Sequence, residues 1–153
     1  MVARSSLGAE GTVFEMDMER GKIFEFARAV LSDDPAHATG EHPVIPPTFL
    51  STTLIWEKRV EGANPWSQVQ MSEERGMHAE QEFVFHGPPP RAGDRLYAQA
   101  RIAEITEKES RSGHLVFVKM ITEFRNEAGD LVAESILTGV ERQVPAPETA
   151  EGP

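Results

Sequence analysis

Between residues 77 and 142 the chain alternates in side-chain character with a period of two, and turn residues cut that alternation into four runs. Successive side chains of a strand point to opposite faces, so alternation sustained over this length has to be laid out as neighbouring strands of one sheet. In the first run Phe83 and Phe85 share a face with Met77 and Ala79, while His78, Glu80 and Glu82 share the other. Gly87-Pro88-Pro89-Pro90 ends it, and further strands are expected at 96–106, 115–124 and 131–142. The intervening turns, Ser110-Arg111-Ser112-Gly113 and Asn126-Glu127-Ala128-Gly129, hold the Gly and Asn that hairpins require. The second half of the chain therefore reads as an antiparallel meander.

The first half carries helical signals. After an extended piece at 12–16, Asp17 can cap a helix in which Ile23, Phe24, Phe26, Ala27, Val30 and Leu31 recur at three-to-four spacing. Ser32-Asp33-Asp34-Pro35 breaks it near Leu31. A second helix is expected at 47–56, because Pro47 suits a first helical position and Phe49, Leu50, Leu54 and Ile55 lie at helical offsets. Residues 60–75, with Pro65 and Trp66, are polar and irregular and read as a long loop or flap. Residues 1–11 and 144–153 have nothing periodic to bury and are expected to be flexible tails. At 153 residues and 39% hydrophobic content, the chain can build one core, so a single α+β domain over 12–143 is expected.

Composition narrows the chemistry. The absence of cysteine removes disulfides, thiolate metal sites and a cysteine nucleophile, which leaves His, Asp, Glu, Ser, Thr and Tyr. A formal charge of −10, with fifteen scattered Lys and Arg, disfavours nucleic acid as a partner. The longest run without Asp, Glu, Lys or Arg, residues 42–56, is broken by three prolines and is too short to cross a bilayer, so a cytoplasmic chain without membrane contact is expected.

Three segments, taken in order, resemble the MaoC-like dehydratase and hydratase superfamily, in particular its N-terminal branch, which is similar to fatty-acid-synthase dehydratase domains. The first is Phe26-Ala27-Arg28-Ala29-Val30-Leu31-Ser32-Asp33-Asp34-Pro35-Ala36-His37, followed by Val44-Ile45-Pro46-Pro47-Thr48-Phe49. The second is Met77-His78-Ala79-Glu80-Gln81-Glu82-Phe83, running through Pro90-Arg91-Ala92-Gly93-Asp94 into a strand; the third is Asn126-Glu127-Ala128-Gly129-Asp130-Leu131-Val132. The resemblance implies a hot-dog fold, an antiparallel β-sheet wrapped around a central α-helix at 47–56. It also implies pairing with itself or another hot-dog subunit, and acyl chains bound between helix and sheet.

Catalytic members of the superfamily carry Asp-x-Asn-Pro-x-His. Here the aligned stretch keeps Pro35 and His37 but puts Ser32 where the catalytic Asp stands. The resemblance makes His37 the candidate acid/base, with Asp33 or Asp34 as possible substitutes for the missing carboxylate. It makes the backbone N–H of Thr48 the candidate oxyanion donor at the start of the central helix. Phe49, Leu50 and Phe83 are candidates to line an acyl site, as well as core candidates. His78 and Glu80, two apart on a strand, are expected on one face, as a polar network, a base pair or two ligands of an incomplete metal site; no metal is assigned. His42, His86 and His114 are expected to be solvated. Arg91, Lys108, Arg111, Lys119 and Arg125 are the available cations for a coenzyme A phosphate.

Three functions follow as expectations. The first is a hydratase or dehydratase of (R)-3-hydroxyacyl and enoyl thioesters on coenzyme A or acyl carrier protein, with no further cofactor. The second, which Ser32 favours, is the non-catalytic acyl-binding subunit of a heterodimeric dehydratase. The third is a hot-dog thioesterase, for which 48–56 supplies no acid and the first is Glu57.

Overall fold

A computed structural model describes residues 1–111 and 113–143. Strands β1 (Phe14–Asp17), β2 (Gly76–Phe85), β3 (Arg95–Ser110), β4 (Gly113–Arg125) and β5 (Leu131–Gln143) form one antiparallel sheet in the order β1-β3-β4-β5-β2. Helices α1 (Arg20–Ala29) and α2 (Thr53–Glu57) come from the first half of the chain. Strands β3, β4 and β5 form the expected meander, whereas β2 pairs with β5 at the edge of the sheet rather than with its chain neighbour β3, and β3, β4 and β5 run longer than the pattern suggested.

One face of the sheet is the core face. In the registers Ala98↔Phe124↔Ala133 and Ile102↔Met120↔Leu137, apolar residues from three strands align across it. Phe49, Leu50 and Ile45 pack onto that face with Met16, Ile23, Phe124 and Ala133 in one buried cluster. The Phe26 ring meets Phe49 edge-on, 5.4 Å between centroids, which ties α1 to the segment before α2. A second cluster, at the other end of the sheet, holds Val69, Ala100, Ile102, Val116 and Val118. The short helical segment laid against a curled antiparallel sheet is the hot-dog arrangement.

Local expectations for the helices are corrected. Helix α1 starts later than expected, with Glu19 at its N-cap; Asp17 is the last residue of β1 and its carboxylate accepts from Arg95 Nε at 2.7 Å. Only Ile23 and Ala27 of its apolar positions are buried, with Phe26 partly so, and Phe24, Val30 and Leu31 face outward. The central helix is shorter than 47–56: Phe49–Thr52 is a 3-10 turn, and α2 has five residues. Thr52-Thr53 lies at that junction, where β-branching weakens helix propensity, and Thr53 Oγ1 donates to Leu50 O at 2.9 Å.

Residues 1–11 are docked rather than frayed. Gly8 N and Gly11 N donate to Ile102 O and Ala100 O, and Ile102 N donates to Ala9 O. Strand β1 covers β3 only over 95–98, and this segment takes up backbone groups of β3 beyond it, at Ala100 and Ile102. Residues 60–75 form a packed flap: Asn64 Oδ1 accepts from Trp66 N at 2.9 Å, Pro65–Val69 is a 3-10 turn, and Val69 is fully buried. The expected tail at 144–153 lies outside the described residues. Among those described, no helix is long and apolar enough to cross a membrane.

Candidate functional site

The break after α1 sets the position of His37. Leu31 takes a positive φ of 56°, and Ser32 N donates back to Ala27 O at 2.9 Å, so the chain leaves the helix sharply. Asp34 then caps a 3-10 turn at Pro35–His37, its Oδ1 accepting from Ala36 N at 2.8 Å. Ser32 Oγ accepts from Asp34 N at 3.4 Å, so Ser32 serves the turn.

The His37 ring folds back on the segment that follows. Its Nδ1 lies 2.9 Å from Val44 O, and a carbonyl can only accept, so Nδ1 carries the hydrogen. That leaves Nε2 as the lone pair of the neutral ring, 3.9 Å from Asp34 Oδ2. The side chain is 12% exposed and borders a cavity of about 430 Å³ with Arg20, Phe24 and Pro43.

The other expected site residues are not gathered around it. Phe49 N donates to Pro46 O, whereas the Thr48 N–H has no protein acceptor among the described residues. Thr48 is nonetheless outside the lining of the His37 cavity. Leu50 is a core residue, and Phe83 is partly buried against the same cluster. Phe49 is almost wholly buried and borders a different cavity, of about 480 Å³, between α1 and α2.

His78 and Glu80 do not share a face. In the β2–β5 register His78 pairs with Gly139 and Glu80 with the adjacent Thr138, so Ala79 is an extra residue in β2. This β-bulge turns His78 to the core face and leaves Glu80 on the opposite one, beside Lys119 and Glu104. An inserted residue leaves no mark in the sequence alternation. The remaining contact between the two runs from the His78 ring to the backbone, with Nε2 2.9 Å from Glu80 O.

The bulge places His78 at a cavity that sequence reasoning missed. About 350 Å³ in volume, it is walled by Leu54 of α2, Trp66 and Met71 of the flap, and Met77, Met120 and Leu137 of the sheet. Gly139 makes room for Trp66: a Cβ there would stand 2.7 Å from ring atoms Cζ2 and Cη2. Two signals pointed here, a Trp inside a polar loop and a Gly inside a strand alternation.

The three histidines expected to be solvated are each engaged. His42 Nδ1 lies 2.8 Å from Ala92 O, and His86 Nε2 2.7 Å from Glu134 Oε2. His114 sits between Glu109 and Glu107, 2.6 Å from each, and the hydrogen bond to Glu109 leads in raising its pKa above the ordinary 6.5. Among the candidate cations, Lys119 and Arg125 pair with Glu104 and Glu123, and Arg91 donates to His42 O. Lys108 and Arg111 are exposed near the end of the β3–β4 hairpin.

Sheet order, buried central segment and the overhanging Pro-x-His loop together define a hot-dog protein of the MaoC-like hydratase and dehydratase class. The sequence profile described as "FAS1-like, dehydratase domain region" matches residues 5–135, and the chain belongs to that family. Among solved structures it is similar to a chain of the C-terminally truncated HadBC (3R-hydroxyacyl-ACP dehydratase) complex from Mycobacterium tuberculosis. Identity there is 25% and the TM-score 0.69, over 90% of this chain and 99% of that one. The MaoC-like dehydratase from Rhodospirillum rubrum has the same fold, with 18% identity, a TM-score of 0.59 and coverage of 95% and 99%. So does the (R)-hydratase from A. caviae involved in PHA biosynthesis, with 16% identity, a TM-score of 0.56 and coverage of 92% and 100%. No curated protein sequence matches the chain.

Proposed function

We propose that this chain is the acyl-binding subunit of a paired hot-dog dehydratase acting on (R)-3-hydroxyacyl and enoyl thioesters, carried on coenzyme A or acyl carrier protein. The observation that carries this reading is the separation of two features that hydration chemistry needs together. His37 borders one cavity, with Ser32 in place of a carboxylate, while the apolar cavity under Trp66 shares no lining residue with it. Hydration of an enoyl thioester requires a base for water and a proton donor at Cα. Ser32 can hold a water but cannot act as a carboxylate base.

A partner hot-dog chain with an intact Asp-x-Asn-Pro-x-His supplies that chemistry in this reading, and the present chain supplies the apolar wall for the acyl tail. The test is crotonyl-CoA hydration across an acyl-length series. The isolated chain is expected to bind acyl-CoA without turning it over, and co-expression with such a partner to give activity. Turnover by a homodimer of this chain alone would refute the division of labour.

One observation favours a self-sufficient hydratase as the second reading. The Val44 hydrogen bond leaves His37 Nε2 as a base and the Asp34 carboxylate stands 3.9 Å from it. In that case His37→Ala abolishes hydration and Asp34→Asn lowers it at least tenfold. A thioesterase is disfavoured, because the buried Glu57 carboxylate accepts from Asn64 Nδ2 at 2.9 Å and is committed to holding the flap.

A further inference from the structure

Helix α1 carries more apolar surface than this chain covers. Ile23 and Ala27 are buried and Phe26 packs against the core, yet Phe24, Val30 and Leu31 of the same periodicity are exposed. Leu31 is the extreme case, 90% exposed with a φ of 56°. Ser32 N donates to Ala27 O and Leu31 N to Arg28 O, the pair of bonds that ends a helix with its next residue in the left-handed region. Glycine is the ordinary occupant of that position. A leucine there accepts a steric cost and buries nothing within the chain.

Charge marks the same side of the helix. Arg20, Phe24 and Arg28 follow at four-residue spacing, and Leu31 extends the row three residues on. The Arg28 guanidinium stands 5.8 Å from the Phe24 ring centroid. Among the described residues neither arginine meets a carboxylate, and Glu25 of the same helix faces Lys22 at 3.5 Å. Two cations left without a carboxylate are conspicuous in a chain of net charge −10. Arg20 and Phe24 also border the His37 cavity, so the row begins at the rim of the candidate site.

We infer that the row Arg20, Phe24, Arg28 and Leu31 is a docking surface for an acidic amphipathic helix of the protein that carries the acyl thioester. The inference rests on the acyl-binding reading above and adds to it the carrier, acyl carrier protein rather than coenzyme A. Arginines eight residues apart stand about 12 Å apart along the axis, a spacing met by acids two turns apart on a partner helix. Phe24 and Leu31 then receive that helix's apolar residues, and Leu31 has no counterpart in a nucleotide. A second copy of this chain is a poor occupant, because a two-fold contact would set arginine against arginine.

The test compares octanoyl-acyl carrier protein with octanoyl-CoA, which share the acyl chain, by calorimetric titration of the parent, Arg28→Glu and Leu31→Gly. The parent is expected to bind the protein-borne ligand at least about tenfold more tightly. Arg28→Glu should lose most of that advantage and hold octanoyl-CoA within about twofold of the parent. Leu31→Gly relieves the left-handed strain, so it should melt at a higher temperature while binding octanoyl-acyl carrier protein at least about threefold more weakly. A purely structural role would not raise stability and lower binding together. Equal affinity of the parent for both ligands, or undiminished carrier-protein binding in both variants, overturns the docking surface and leaves the acyl site standing. Binding to phosphatidylglycerol vesicles that Leu31→Gly abolishes, without carrier-protein preference, overturns it in favour of a lipid surface. Binding of neither octanoyl ligand overturns the acyl-binding reading itself, and this inference with it.

Discussion

At the scale of single residues, charge placement decides more than composition does. His114 of β4 faces Glu109 across the hairpin and also reaches Glu107, whose carboxylate meets the Arg4 guanidinium as well. The Glu109 hydrogen bond is the leading cause of the raised His114 pKa, with a smaller contribution of the same sign from Glu107. A folded-state pKa above the ordinary 6.5 makes the cluster stabilising while the ring is charged. That contribution is complete below the unfolded value and is lost as pH rises through the raised folded one. His114→Gln is therefore expected to remove a component of stability present at acidic pH and absent at alkaline pH. Thermal melts of both proteins across that range, with an NMR titration of the imidazole, provide the check. Converging melting curves at low pH, rather than at high pH, would contradict the assignment. None of this was legible from sequence, because Glu107 and Glu109 become neighbours of His114 only through the hairpin register.

At the scale of elements, legibility followed the kind of information each element needs. Strands β2 to β5 are written in local alternation, so their existence could be read directly, but the pairing of β2 with β5 rather than β3 is a long-range choice that alternation does not encode. The docking of residues 1–11 depends on backbone groups of β3, which side-chain patterns do not encode. The bulge at Ala79 inserts one residue into β2, which residue types alone do not reveal, and the expected placement of His78 and Glu80 on one face failed for that reason. The flap at 60–75 looked irregular because its anchors are distant: the Ser72 N–H donates to Glu141 Oε2 at 2.7 Å, from a carboxylate that is 1% exposed. The other oxygen of Glu141 makes no hydrogen bond and faces the Met1 ammonium at 3.7 Å. Glu141→Ala leaves the Ser72 N–H without its acceptor and is expected to cost about 1–3 kcal/mol, with faster amide exchange at 70–76. Glu141→Gln retains an acceptor and should cost less. Chemical denaturation with hydrogen exchange separates the two, and equal losses would mean that charge, rather than the hydrogen bond, holds the flap.

At the scale of the whole molecule, the sheet has two edges and the chain treats them differently. On the β1 side, the four-residue strand is continued along β3 by residues 8–11, so the edge of β3 is covered as far as Ile102. On the other side, β2 runs for ten residues and, among the described residues, pairs with β5 alone, leaving its outer edge open. An open edge of that length is an invitation to pair, and β2 carries neither proline nor a short span to discourage it. Two large apolar side chains stand by it, Leu54 of α2 at 55% exposure and Met77 of β2 at 65%, and both border the cavity under Trp66. A second hot-dog sheet continuing β2 would cover them and close the cavity's open side, which joins assembly to ligand binding. Sedimentation equilibrium is expected to give about twice the 16.9 kDa chain mass for the self-paired protein, or the sum of two chains with a hot-dog partner. Met77→Lys places a charge at that edge and is expected to weaken association at least tenfold, with far-ultraviolet circular dichroism unchanged and acyl-CoA affinity falling in parallel. Undiminished association in Met77→Lys would move the seam away from β2. Weakened association with full acyl-CoA affinity would show that one chain completes the cavity by itself.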